Sequence, residues 1–132
     1  MFFVRTAAEQ DLPNVRSILI DTLHDTYDDI YGREQVLAVI QKTCSIDRLN
    51  NQRDTPNSEF LVGDNGEVIG GMAYASQTDK TINLHQIYVH PKYHGGKTGL
   101  HLLIEIENSF IDAEKICVEV EALNARAVGF FK

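Results

Sequence analysis

Leu12, Val15, Ile18, Leu19 and Leu23 recur at intervals of three and four residues, the spacing that puts side chains on one face of an α-helix. This stripe predicts a first helix with one buried side. Asp11 stands before it as an N-cap, and Pro13 falls in its first turn. Ahead of it, Phe2 to Arg5 is short and largely apolar and reads as a first strand. Val36, Leu37, Val39 and Ile40 repeat the helical spacing over Arg33 to Cys44 and predict a second helix.

The period then changes. Asn50 to Ser58, rich in Asn, Gln, Asp, Pro and Ser, reads as a loop. Phe60–Leu61–Val62 and Val68 to Ala75 are strand-like and flank Asp64–Asn65–Gly66, where Asn-Gly favours the positive backbone angles of a type I′ hairpin. Gly70–Gly71 marks a candidate bulge in the second of these strands. Thr81 to His90, joined through Gln77–Thr78–Asp79–Lys80, completes a three-strand antiparallel meander.

Helical spacing returns with Leu100, Leu103, Ile104, Ile106 and Phe110. Ile116 to Val120 then alternates as a strand, with Ile116, Val118 and Val120 on one face and Cys117, Glu119 and Glu121 on the other. Asn124 opens a last helical segment. This order predicts an α+β fold: a mixed, mostly antiparallel central sheet flanked by helices, in a single domain over residues 1–132.

The chain is 43% hydrophobic and 23% charged, the balance of a soluble globular protein. No run approaches the roughly 20 apolar residues that span a bilayer, and Met1 to Arg5 lacks the pattern of an export signal, so no membrane partner and a cytoplasmic location are expected. A formal charge of −7 argues against general affinity for nucleic acid and suits a cationic partner such as an amine. Asp21, His24, Asp25, Tyr27, Asp28, Asp29 and Tyr31, placed between the first two helices, read either as a rim that attracts such an amine or as a solvated acidic loop. Cys44 and Cys117 sit among apolar neighbours and read as buried, reduced thiols. His24, His90 and His101 lack ligand-like spacing, so no metal is expected.

The chemistry concentrates in Leu84 to Leu100, where a strand ends, a turn containing His94, Gly95, Gly96, Lys97, Thr98 and Gly99 follows, and an apolar helix begins. Such a turn aims several backbone N–H groups and the positive end of the helix dipole at one point, and glycines let an anion approach the main chain. The alternative is a tight connection with no ligand. A nucleoside-triphosphate loop does not fit, because that motif needs Gly where Pro91 stands.

Ile87–Tyr88–Val89–His90–Pro91–Lys92–Tyr93 with this turn resembles the signature of the Gcn5-related N-acetyltransferase (GNAT) family, a strand ending in apolar-Tyr-Val-x-Pro before a Gln/Arg-x-x-Gly-x-Gly/Ala loop. Val118 to Phe131 is similar to that family's strand and helix with Asn-x-x-Ala-x-x-Phe-Tyr. The resemblance covers the whole chain. It implies acetyl-CoA as co-substrate: its pyrophosphate on His94 to Gly99, its pantetheine arm against the backbone of Ile87, Tyr88 and Val89 in a gap between two splayed strands, and Asn124 and Phe131 facing it. It implies direct transfer to an amine of a small molecule or peptide, with Glu119 at a position that serves as base in some members. His85, on the facing strand, is a second candidate base; the alternatives are a solvated carboxylate at Glu119 and a satisfied polar residue at His85.

Several positions depart from the family. His94 replaces Gln or Arg, Lys97 replaces the central Gly, and Phe131 replaces a Tyr that reprotonates the leaving thiolate. The family also continues past Lys132 into two further strands. By that comparison the chain lacks them, leaving a strand edge through which copies are expected to self-associate. Three readings stay open: an active N-acetyltransferase, a non-catalytic or degenerate acyl-CoA-binding relative, or an interaction scaffold that binds no cofactor.

Overall fold

A computed structural model describes residues 2–93 and 96–118. Strand β1 (Phe3–Thr6) leads through a short 3-10 turn (Glu9–Asp11) into three helices, α1 (Leu12–Tyr31), α2 (Arg33–Thr43) and α3 (Ile46–Asp54). The meander β2 (Ser58–Asp64), β3 (Ile69–Thr78) and β4 (Thr81–Val89) follows. A second 3-10 turn (Pro91–Tyr93) precedes α4 (Thr98–Ser109) and β5 (Lys115–Val118). The sheet runs β1-β2-β3-β4-β5, with antiparallel neighbours except for the parallel β4–β5 pair that α4 bridges.

The sheet is covered on both faces. Leu12, Val15, Ile18 and Leu19 of α1, Val36 and Ile40 of α2, and Leu49 of α3 pack on Phe60, Val62, Met72 and Tyr74. Leu102, Ile106 and Phe110 of α4 pack on the other face, against Leu61, Ala73, Ala75, Ile82 and Leu84. Burial on both sides explains why Phe60–Leu61–Val62 is an unbroken apolar run rather than an alternating one. Each fully buried large aliphatic side chain contributes about 1.5–3 kcal/mol.

Several expectations are corrected. Residues 46–54 form a helix, capped by Ser45 through a 3.2 Å bond from the Arg48 amide; their polarity reflects a helix that buries little beyond Leu49. The acidic cluster from Asp21 to Tyr31 lies within α1, which runs 20 residues. The helical stripes turn out narrower than periodicity suggested, because Leu37, Val39, Leu100 and Ile104 are exposed. Cys44 is buried, whereas Cys117 is exposed on the outward-alternating face of β5. At the β2–β3 turn only Gly66 has positive φ (94°), so the two-residue type I′ geometry does not form. Instead the Asn65 side chain accepts from the amides of Glu67 and Val68.

Asp11 does not cap α1. It accepts from both terminal nitrogens of Arg5 at 2.7 and 2.9 Å and from the Ala8 amide at 2.7 Å, while Arg5 also reaches Asp64 on β2. This network ties β1, β2 and the start of α1 together. The Arg5 hydrogen bond holds the Asp11 carboxyl below the usual carboxylate range, and the Gly66 amide and Arg5 do the same for Asp64. A depressed folded value adds stability above the unfolded one, near ~3.9, and that stability is lost as pH falls through the folded value. Urea unfolding is therefore expected to show stability dropping below about pH 4. Asp11→Asn should flatten that drop and cost about 1–2 kcal/mol at neutral pH, discounted because the Arg5 side chain is 41% exposed. An unchanged acid limb would refute the role.

Candidate functional site

Two bulges shape the end of β4. Tyr74 pairs with Gln86 and Ala75 with Leu84, so His85 is the extra residue on β4. One inserted residue reverses which face the following side chains take. Ile82 and Leu84 before it face α4; beyond it Ile87 and Val89 still face α4, while Tyr88 packs against the core under α1 and α3. The second bulge is the one foreseen in the glycine pair: Gly63 pairs with Gly71 and Asp64 with Ile69, leaving Gly70 as the extra residue.

Gly70 is needed where it stands. A Cβ there would lie 2.5 Å from the Phe2 ring and 3.0 Å from that of Tyr93. Phe2 and Tyr93 meet edge to face over this glycine, with ring centroids 4.8 Å apart. The Gly70 carbonyl accepts the His90 amide at 2.9 Å, and the His90 carbonyl accepts the Tyr93 amide at 2.8 Å. A contact from the N-terminus and two backbone bonds thus hold the chain as it leaves β4.

Lys97 has φ −104° and ψ 13°, angles open to a residue with a Cβ, so a Lys in place of the expected central Gly introduces no backbone strain. The His101 amide bonds the Lys97 carbonyl at 2.9 Å, and no side chain among the described residues caps α4. The amides of Thr98, Gly99 and Leu100 therefore precede the helical ladder, at the positive end of the helix dipole. Thr98 is buried, with its methyl 3.1 Å from where a Cβ on Gly63 would lie, which seats the start of α4 on β2. Gly96 and Lys97 beside it are exposed. This end of α4 can accept an anion.

His85 is exposed; its Nε2 lies 2.8 Å from the Ser76 hydroxyl and its ring 5.5 Å from that of Tyr74. Burial pushes the Tyr88 phenol up to about 12, so it stays protonated at neutral pH. The β4–β5 ladder runs from Thr81↔Lys115 to Leu84↔Val118, bringing β5 level with the residue before His85. Glu119, His94, Gly95, Asn124 and Phe131 lie outside the described residues, as does the expected strand splay.

On the other side of β4, Leu23, Tyr27 and Tyr31 at successive helical turns of α1 face Gln35, Val36 and Val39 of α2 across a groove of about 310 Å³. The Gln52 side chain of α3 reaches Gln86 of β4 at 3.4 Å, and its Oε1 is buried with no hydrogen-bond partner among the described residues. Sequence reasoning missed Phe2, Gln52 and the pairing of Asp21 with His90, whose Oδ2 and Nε2 are 2.9 Å apart. Nothing in the local sequence announces contacts 69 residues apart. Among the described residues no group of three or more His, Cys, Asp or Glu could hold a metal ion, and no helix is long and apolar enough to cross a membrane.

The backbone is similar to that of PaiA N-acetyltransferase from Thermoplasma acidophilum, solved with coenzyme A: TM-score 0.93 at 20% identity, over 99% of this chain and 86% of that one. A predicted acetyltransferase from Clostridium acetobutylicum, solved with acetyl-CoA, gives 0.69 at 16% identity over 99% and 88%. AAC(6')-Iy, in complex with the bisubstrate analog CoA-S-monomethyl-acetylneamine, gives 0.65 at 11% identity over 98% and 86%. At these identities the likeness establishes the fold. No curated protein matches the sequence significantly. The profile of the acetyltransferase (GNAT) family, however, matches residues 17–132, spanning the bulged β4, the turn and α4, and the chain belongs to that family.

Proposed function

We propose that this protein transfers an acetyl group from acetyl-CoA directly to an amine. The observation that carries the reading is the start of α4, which no side chain among the described residues caps and where the amides of Thr98, Gly99 and Leu100 lie beside Gly96 and the cation of Lys97. The pyrophosphate binds there, completed by His94 and Gly95. The pantetheine arm runs along the backbone of Ile87, Tyr88 and Val89, and Asn124 and Phe131 flank it. Co-structures of the fold neighbours with coenzyme A and acetyl-CoA support this assignment.

Attack requires a neutral amine. Glu119 or His85 takes its proton as the C–N bond forms and the C–S bond breaks; coenzyme A leaves as the thiolate and takes up the proton now held by that base. The amine approaches from the α1–α3 side. There the buried Gln52 Oε1 lacks a donor that an incoming N–H supplies.

Isothermal titration with acetyl-CoA, followed by thiol release over a panel of amines, tests this. Saturable binding with thiol release is expected for at least one amine. Absence of binding removes the reading, and binding without any turnover reassigns the chain as an acyl-CoA-binding module.

A further inference from the structure

All four hydrogen-bonding groups of His90 are engaged. Its amide donates to Gly70 and its carbonyl accepts from Tyr93. Its Nδ1 accepts the Lys92 amide at 3.1 Å, and its Nε2 lies 2.9 Å from Asp21 Oδ2. The two ring contacts together assign the tautomer. A nitrogen that accepts an N–H carries no proton, so the ring proton is on Nε2 and is donated to the carboxylate. The ring is thus directional: one nitrogen shapes the 3-10 turn, and the other fastens that turn to α1.

The geometry points to His90 as a positioning residue for the turn that leads to α4, with the two ring nitrogens doing separable jobs. Nδ1 closes the bend over Lys92 and Tyr93, from which the chain reaches the start of α4. Nε2 locks the bend to Asp21, two residues before Leu23 at the wall of the α1–α2 groove. The turn before α4 and helix α1 are therefore held at a fixed separation by one imidazole. A turn not closed in advance must be ordered by the ligand, which reduces apparent affinity in proportion to the closed fraction and leaves the chemical step alone. This inference rests on the function proposed above.

The test uses substitutions that each keep one nitrogen's role. His90→Asn places a carbonyl oxygen near Nδ1 and withdraws from Asp21. His90→Gln places a donor near Nε2 and removes the acceptor for Lys92. Calorimetry with coenzyme A should show His90→Gln weakened about tenfold and His90→Asn within about threefold, the scale of one net hydrogen bond. KM for acetyl-CoA should follow, and kcat should not.

Two measurements need no ligand. Nitrogen-15 NMR should find the His90 proton on Nε2 in the wild type, and amide exchange at Lys92 should accelerate in His90→Gln but not in His90→Asn. Equal weakening and equal exchange in the two variants, or a proton on Nδ1, overturns the proposal. Should the wild type bind no coenzyme A, the proposed function falls, and the NMR and exchange results still decide the role of His90.

Discussion

Leu102→Ala is expected to cost about 3–5 kcal/mol, a large part of the roughly 5–15 kcal/mol that holds a domain folded. Leu102 is fully buried on α4, and its Cδ1 lies 3.3 Å from where a Cβ on Gly71 would stand. That close approach exists because β3 has no side chain there, so the cavity left by truncation opens against backbone that cannot move in to fill it. The Tyr88 carbonyl, 3.0 Å from the same point, fixes the strand on the other side. A thermal midpoint lower by about 10–20 °C should follow. Under the proposed function coenzyme affinity should fall with it, because the amides proposed to accept the diphosphate lie at the first turn of α4. Leu100→Ala and Ile104→Ala are the controls: both side chains are more than two-fifths exposed and should change stability by less than about 0.5 kcal/mol. If Leu100→Ala proves as damaging as Leu102→Ala, the helix faces the sheet with a different side.

That comparison also shows how far the sequence could be read. The meander, the helix after the glycine-rich turn and the strand that follows it were legible, because strand alternation, the Asn–Gly and Gly–Gly pairs and the return of helical period all act within a few residues. The face of α4 was not: Leu100, Leu103, Ile104 and Ile106 satisfy helical spacing as well as Leu102 and Ile106 do, and only packing against β3 chooses between them. Helix α3 was hidden because it buries almost nothing but Leu49. Asp11 looked like a cap by position, yet Arg5, six residues earlier, claims its carboxylate.

At the candidate site, the strand, turn and helix were visible as a motif. The devices that brace them were not. Phe2 over Gly70 and Asp21 on His90 join residues far apart in the chain, and local pattern carries no record of them. The bulge at His85 was equally silent. Its effect is to turn Tyr88 away from the face that Ile82 and Leu84 share, an outcome of register between strands rather than of the strand itself.

Lys97→Glu should weaken coenzyme A binding about 30- to 100-fold. With φ at −104°, this position takes a lysine or a glutamate equally well, so the substitution changes charge and leaves the start of α4 in place. Lys97 is exposed, so each of its interactions with a diphosphate is partly screened and contributes on the order of 1 kcal/mol. Reversing the sign removes an attraction and adds a repulsion toward two negative charges, while the helix-terminal amides go on contributing as before. Lys97→Gly, which restores the usual family residue, removes only the attraction and should cost about three- to tenfold. Salt separates this account from misfolding. Raising ionic strength to about 1 M shortens the screening length to ~3 Å, so the gap between Lys97→Glu and wild type should shrink several-fold. A gap that salt leaves untouched would point to a changed turn, and no gap at all would remove the diphosphate from the start of α4.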